Sequence, residues 1–294
     1  MPRARRFRFR HAAAAAVAAL LWGCAALDPP VIAERASPFG TIVVTAEPDG
    51  LRAMRFGRGG VTQSVARPGD PGYLHFRYAR LALAGAALVE TPRRMLVVGL
   101  GGGSLPMFLR QHYPEATIDA VDVDPAVVAV AREHFGLRED ARLRTHVADG
   151  RAFVDAAPAG QYDLVILDAY GSERVPEHLT TVEFLGAVRR ALDPDGVLVS
   201  NLWNGWYNRR YEAMLRTHEA AFAEVHVLDS RQEVNHVVIA LARARGLGAD
   251  ALAARAAAAA RARGYRFDLG ALVAGAYLAP RPRAAEVLRD PPPR

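Results

Sequence analysis

The stretch Val97-Val98-Gly99-Leu100-Gly101-Gly102-Gly103-Ser104 joins a short apolar segment to a segment with helical periodicity. Glycines in such a connection let the backbone turn tightly and approach a ligand closely, and the start of the following helix offers free N–H groups. Asp122 follows 21 residues after Gly101, at the end of the next predicted strand. A carboxylate at that position accepts hydrogen bonds from the ribose hydroxyls of a nucleoside cofactor. The stretch therefore predicts a nucleoside-binding turn.

Two further carboxylates close predicted strands. Val147-Ala148-Asp149-Gly150 ends one strand and places Asp149 where it could meet an adenine amino group. Tyr162 to Asp168 forms an apolar run that puts Asp168 at the carboxyl end of the fourth strand. Parallel strands of an open sheet bring such ends to one crevice, where ligands bind. The alternative interpretation of Asp168 is a carboxylate that caps the following loop.

The alternation of apolar strands and amphipathic helices from Met95 to Leu202 predicts an α/β fold, with a parallel sheet covered on both faces. Upstream, β-branched runs alternate with turn pairs between Thr41 and Val65, which predicts a small antiparallel unit. The strands Glu224–Leu228 and His236–Ala242 are joined by a short polar turn, so we expect them to pair antiparallel.

These patterns divide the chain into five predicted parts. They are a lipoprotein-type signal peptide (1–23), a proline-containing tether (24–39), an N-terminal β-hairpin unit (40–72), a nucleoside-binding domain (73–245), and a C-terminal helix with a loose, proline-rich tail (246–294).

The beginning of the chain has the order of a secretory signal: a basic region, a short apolar region and a small residue. Leu21-Trp22-Gly23-Cys24 resembles the lipobox of bacterial lipoproteins, in which the cysteine is lipidated. The prediction is a protein of the cell envelope, on the periplasmic side, that touches the membrane only through a lipid on Cys24. The alternative is a mis-assigned start codon, which would make the protein cytoplasmic.

Composition excludes several classes of function. All basic residues are arginines, and the first 23 residues hold five of them with no acidic residue, so the net charge of +6 belongs almost entirely to the leader. The remaining chain lacks the basic surplus of a nucleic-acid-binding protein. A single cysteine excludes a disulfide framework. His112, His134 and His146 lie on separate elements without ligand spacing, so no metal site is predicted.

The combined order of these motifs resembles the spermidine/spermine synthase (polyamine aminopropyltransferase) family. Gly59-Gly60-Val61-Thr62-Gln63 also resembles the family's N-terminal strand motif, which ends in a cofactor-contacting glutamine. The resemblance spans roughly residues 50–242. It implies a small N-terminal β unit followed by a Rossmann-like sheet of the S-adenosylmethionine-dependent methyltransferase type. It also implies decarboxylated S-adenosylmethionine or S-adenosylmethionine as co-substrate, without a metal, and an amine as acceptor. A homodimer through the N-terminal β unit is a further hypothesis.

By position, the resemblance assigns Asp168 to the attacking amine, as the base of an in-line displacement. Asp149 would meet the adenine, and Gln63 and Asp122 would hold the nucleoside. The complete set predicted for the nucleoside is Gln63, Gly99, Gly101, Gly102, Gly103, Asp122, Asp149 and Gly150. Candidate contacts of the acceptor are His75, Tyr170 and Glu173.

The sequence departs from the family where a polyamine cation would be recognised. Ser104 stands where the family has an aspartate that grips the aminopropyl nitrogen, and Gly171 replaces a second carboxylate after Asp168. Each lost charge-assisted hydrogen bond forfeits about 1.5–3 kcal/mol; Glu173 or His178 could replace the lost acid. Three functions stay open: aminopropyl transfer, S-adenosylmethionine-dependent methyl transfer, and a non-catalytic, membrane-tethered protein that binds a nucleoside or polyamine.

Overall fold

The computed structural model describes residues 28–169, 175–231 and 233–292. A small N-terminal sheet is antiparallel, with strands in the order β1-β2-β3-β4. Its strands are β1 (Val31–Ser37), β2 (Gly40–Ala46), β3 (Arg52–Phe56) and β4 (Thr62–Ala66). The side chains of Ile42, Val44 and Met54 are fully buried, so this sheet covers part of the main core.

The large sheet has eight strands in the order β12-β10-β11-β9-β8-β5-β6-β7. They are β5 (Arg94–Val98), β6 (Thr117–Asp122), β7 (Leu143–Val147), β8 (Tyr162–Leu167), β9 (Leu192–Trp203), β10 (Glu224–Asp229), β11 (Asn235–Leu241) and β12 (Tyr277–Leu278). The five strands β5 to β9 run parallel, whereas β11 pairs antiparallel with both β9 and β10. The predicted α/β fold with a small antiparallel unit and a Rossmann-like sheet of the methyltransferase type is confirmed.

Helices cover both faces of the large sheet. They are α1 (Arg77–Ala86), α2 (Ser104–His112), α3 (Pro125–His134), α4 (Gly150–Ala156), α5 (Val182–Ala191), α6 (Tyr211–Ala221), α7 (Ala249–Arg263) and α8 (Leu269–Ala274), with short 3₁₀ turns at Pro48–Gly50 and Glu177–Leu179. Side chains alternate along β5, so Met95 and Val97 pack under α1 to α3, whereas Leu96 and Val98 pack towards α4 and α5. Burial on both faces explains why the strand is apolar from Met95 to Val98.

The strand order determines where the ligand-binding crevice of the sheet lies. From β5 the chain continues outward through β6 and β7, and it then returns to the other side of β5 to form β8. The carboxyl ends of β5 and β8 therefore lie side by side where the direction of winding reverses. Ligands of open α/β sheets bind at this position.

The predicted tether is wrong for Val31–Ser37, because these residues form β1 and pair with β2. The strand also contacts the large domain, since Arg35 forms an ion pair of 2.7 Å with Glu133 on α3. Its side chains alternate between exposed and half-buried positions, which leaves a weak apolar pattern in the sequence.

The C-terminal tail is not loose up to residue 292. Its backbone pairs with α5, where the Val182 N–H donates to the Leu288 carbonyl over 2.8 Å. The Asp290 carboxylate binds the Arg151 guanidinium through two hydrogen bonds, of 2.7 and 2.5 Å. The largely buried Arg283 side chain forms ion pairs with glutamates of α6. The tail is therefore a strap across α4, α5 and α6.

None of the helices in the described parts of the chain combines the length and apolar character that a bilayer span requires. The leader and Cys24 lie outside the described residues, so the predictions about secretion and lipidation stay predictions.

Candidate active site

A cavity of about 480 Å³ opens at the carboxyl ends of β5, β6 and β8, with the small sheet as one wall. Most of the residues predicted for ligand binding line it: Gln63, His75, Gly99, Gly101, Asp122, Asp149, Gly150 and Asp168. Tyr170 and Glu173 lie outside the described residues. The sheet topology thus gathers side chains that are up to 105 positions apart in the sequence into one space.

The glycine-rich turn leaves no room for side chains. Gly99 has a φ of +98°, and a Cβ added there would lie 2.2 Å from the carbonyl oxygen of Asp168. A Cβ on Gly102 would lie 2.5 Å from the ring of Phe135. The Gly102 N–H donates to Ser64 Oγ on β4 over 3.0 Å, so the small sheet holds the turn in place.

Gly102 and Gly103 are not among the residues that line the cavity. The first packs against Ser64, and the second has a φ of +76° and precedes the first residue of α2. Gly102 and Gly103 therefore lie on the side of the turn that faces away from the cavity, whereas Gly99 and Gly101 line the cavity.

Asp122 lies at the end of β6 with both carboxylate oxygens oriented by the backbone. One oxygen accepts from the Leu100 N–H and the other from the Asp124 N–H, each over 2.9 Å. Burial raises the pKa of Asp122, and these hydrogen bonds oppose the increase. A carboxylate oxygen accepts more than one hydrogen bond, so acceptor capacity is left for ribose hydroxyls.

Asp149 ends β7 and caps α4, where it accepts from the Ala152 N–H over 2.9 Å. Its second oxygen lies 2.8 Å from Nε2 of His178, in the 3₁₀ turn at the cavity edge. Burial alone would raise the pKa of Asp149, but the Ala152 N–H and His178 together hold it below its usual value. The structure thus places His178 beside Asp149, rather than in the role of a second acid beside Asp168.

Asp168 follows β8, and its carboxylate is fixed from two sides. Oδ1 accepts from the Asn201 side-chain amide over 2.8 Å, and Oδ2 accepts from the Tyr78 hydroxyl over 3.2 Å. Asn201 in turn accepts from the side-chain amide of Asn235 over 2.8 Å. Burial raises the pKa of Asp168 to about 6, against the effect of these two donors. The group is thus ionised at neutral pH and close to the range in which it takes up a proton.

Several residues of this end of the cavity were absent from the sequence-based set. Tyr78, Asn201 and Glu233 all line the cavity. The polar Asn201 within the apolar strand β9 was the available signal. Trp206, which follows the same strand, is 93% exposed and does not line the cavity.

The cavity therefore has two chemically different ends. One end carries the carboxylates of Asp122 and Asp149 beside the glycine-rich turn, which suits a nucleoside. The other carries Asp168 and Glu233 among aromatic side chains, which suits a cationic amine. Across the described residues, no three His, Cys, Asp or Glu side chains converge as metal ligands would.

Comparison with known proteins places the chain in a family. Residues 76–228 match the family model described as the spermine/spermidine synthase domain. The polyamine aminopropyltransferase of Vibrio vulnificus is 34% identical over 214 residues, which covers 71% of either chain. The chain therefore belongs to the spermine/spermidine synthase family, as its motifs predict.

Two solved structures illustrate the range of this fold. A probable spermidine synthase from Corynebacterium glutamicum superposes with a TM-score of 0.71 at 20% identity, over 89% of this chain and 97% of that one. Human methyltransferase-like protein 13, solved in complex with SAH, superposes with a TM-score of 0.57 at 29% identity, over 64% of this chain and 92% of that one. The same architecture thus occurs in proteins of both transfer chemistries.

Proposed function

We propose that this protein binds decarboxylated S-adenosylmethionine and transfers its aminopropyl group to an amine. Family membership supports the reaction class. The observation that carries the proposal is that one cavity holds the Asp122 and Asp149 carboxylates beside the glycine-rich turn and, at its other end, the half-buried carboxylate of Asp168. The human methyltransferase-like protein with bound SAH supports an S-adenosyl compound as co-substrate.

The nucleoside end would hold the co-substrate by its sugar and base. Asp122 would accept from the ribose hydroxyls, and the closely approaching backbone of Gly99 and Gly101 would accommodate the rest of the nucleoside. Asp149 would accept from the adenine amino group alongside its bond to His178. Gln63 on β4 would close the site from the small sheet.

The transfer itself is a displacement at carbon. The amine nitrogen attacks the propyl carbon attached to the sulfonium, a C–N bond forms, and the C–S bond breaks. Its electron pair returns to sulfur, so neutral methylthioadenosine leaves. The proton lost by the nitrogen passes to Asp168, which then returns it to solvent.

Asp168 is suited to this role because an amine attacks only as the free base. An alkylammonium has a pKa near 10, so a positioned acceptor must favour the neutral form. The carboxylate, with its pKa of about 6, is ionised at neutral pH, and Tyr78 and Asn201 fix its orientation. A positioned general base contributes about 10²- to 10⁴-fold to the rate.

Methyl transfer is the second candidate, and Ser104 favours it. This residue lines the cavity at the start of α2 and uses its hydroxyl to donate to the Val65 carbonyl over 3.2 Å. A serine there supplies no charge to hold the aminopropyl ammonium. With serine rather than aspartate at this position, the site would therefore select less strongly for the decarboxylated co-substrate over S-adenosylmethionine.

The test separates the three functions. The protein is incubated with linear amines and either decarboxylated S-adenosylmethionine or S-adenosylmethionine, and products are identified by mass spectrometry. Methylthioadenosine together with an aminopropylated amine supports the proposal, and a methylated amine supports the second candidate. Binding of methylthioadenosine in calorimetry without either product would leave a binding protein. Asp168→Asn should lower aminopropyl transfer about 10²- to 10⁴-fold and leave methylthioadenosine binding nearly unchanged.

A further inference from the structure

Glu233 is a second carboxylate at the amine end of the cavity. It lies in the turn between β10 and β11, lines the cavity and is half-buried. Its two oxygens accept from the backbone N–H groups of Arg77 and Tyr78, over 2.6 and 2.9 Å, at the start of α1. These bonds fix the carboxylate, and each oxygen keeps the capacity to accept from a ligand.

Tyr78 sets the spacing between Glu233 and Asp168. Its backbone N–H donates to Glu233 Oε2, and its hydroxyl donates to Asp168 Oδ2. The two carboxylates therefore lie at opposite ends of a single tyrosine residue. A linear diamine likewise carries its two cationic nitrogens at opposite ends, with methylene groups between them.

The surroundings fit a cation with an apolar middle. The ring of Phe76 stacks on that of Tyr78 with centroids 5.6 Å apart, and Phe76, Tyr78 and Trp203 line this part of the cavity. Burial lowers the pKa of the neighbouring His75, with Arg80 acting in the same direction and Glu233 opposing it. His75 is therefore neutral at neutral pH and does not compete with an amine for Glu233. Within the described residues, Glu233 has no arginine side chain as an ion-pair partner.

We infer that Glu233 binds the far ammonium of a diamine acceptor while Asp168 faces the attacking nitrogen. The inference rests on the proposed function, which assigns Asp168 to the attacking nitrogen. Glu233 supplies, from the β10–β11 turn, the second carboxylate that the sequence motif around Asp168 lacks. Glu233 is then the residue that distinguishes a diamine from a monoamine of equal length.

The experiment measures binding first, so that it does not depend on turnover. The protein is saturated with methylthioadenosine and titrated with putrescine or with butylamine in a calorimeter. Glu233→Gln keeps the shape and one acceptor oxygen for the start of α1 but removes the charge. The dissociation constant for putrescine should rise about 10- to 100-fold, and that for butylamine should stay unchanged.

Glu115→Gln is the matched control. Glu115 is exposed and lies near the amino end of β6, whereas the cavity lies at the carboxyl ends of the strands. The control variant should change neither constant. Glu233→Asp, which keeps the charge, should recover part of the putrescine affinity. Where transfer is measurable, Glu233→Gln should raise the KM for putrescine with little change in kcat.

The outcomes distinguish this inference from the proposed function. Equal putrescine affinity in wild type and Glu233→Gln, or equal weakening of both amines, would make Glu233 a helix cap only and overturn the inference. A charge-dependent preference for putrescine without any transfer would support the inference and contradict the proposed reaction.

Discussion

Asn201 donates its side-chain amide to the Asp168 carboxylate over 2.8 Å, and the register of two strands puts it there. Parallel pairing of β8 with β9 sets Leu167 beside Ser200, so the next residue of each strand reaches the cavity edge together. The position of Asp168, the proposed base, is therefore set by the sheet rather than by a loop.

Asp168 should make activity and stability depend on pH in opposite senses. Its pKa of about 6 lies above the ordinary value of 3.8, so the folded state binds this proton more tightly than the unfolded state. The resulting stabilisation, up to about 3 kcal/mol, is complete below pH 4 and is lost as the pH rises through 6. The kcat/KM should instead fall below about pH 6, because a protonated base cannot accept the amine proton.

Thermal unfolding of wild type and Asp168→Asn between pH 4 and 8 checks the stability part. The variant lacks the titrating group, so its midpoint should rise relative to that of the wild type as the pH rises. Parallel curves would contradict the raised pKa.

Asp122→Ala should weaken methylthioadenosine binding at least about tenfold. The change removes the predicted ribose contacts and leaves the N–H groups of Leu100 and Asp124 without their acceptor. Calorimetry gives the affinity. Asp119→Ala is the control on the same strand, because Asp119 binds His146 and Tyr162 and does not line the cavity. Equal affinities for both variants would remove Asp122 from the nucleoside site.

Ser104→Asp should shift co-substrate preference toward decarboxylated S-adenosylmethionine. The new carboxylate would lie in the cavity at the first turn of α2, where the helix dipole favours it, and would meet the free ammonium of that compound. S-adenosylmethionine carries its own carboxylate and gains less. We expect the ratio of the two affinities to change about tenfold, whereas Ser104→Asn should leave it unchanged. A constant ratio would show that residue 104 does not face the aminopropyl group.

Removal of residues 280–294 should lower the thermal midpoint by several degrees. The deletion takes away Arg283, which pairs with Glu212 and Glu219, and the contacts of Leu288 and Asp290 with α4, α5 and α6. Removal of residues 293 and 294 alone is the control, because it leaves these contacts in place. If both deletions unfold at the wild-type temperature, the strap contributes nothing to stability.

We propose that Cys24 is lipidated and begins the mature protein. Mass spectrometry of the protein from its native host should detect an N-terminal lipid-modified cysteine and no peptide from the first 23 residues. A major species that contains both Arg10 and an unmodified Cys24 would instead indicate a cytoplasmic enzyme.

The sequence was sufficient for elements whose burial follows a simple period. Strands β5, β8 and β9 are buried on both faces over most of their length, so their apolar runs stand out between amphipathic helices. Strand β1 escaped prediction because it exposes most of its side chains. The strap escaped because its anchors are ion pairs with residues far away in the chain, such as Arg283 with Glu219.

The two ends of the site also differ in how much of them the sequence predicts. Asp122 and Asp149 belong to local motifs beside a glycine-rich turn or a helix cap, so spacing reveals them. Tyr78 and Glu233 meet across 155 positions of sequence, and neither belongs to a motif. Only the packed β10–β11 turn brings the carboxylate to the start of α1.

The backbone of Gly99 lies so close to the Asp168 carbonyl that a side chain at residue 99 has no room. A side chain there would force the ends of β5 and β8 apart. The close approach would therefore fix the proposed nucleoside relative to the proposed base, Asp168, whatever the acceptor. The acceptor end is built instead by the β10–β11 turn and the start of α1. Redesign for amines of other lengths should therefore begin in that turn, with the glycine left in place.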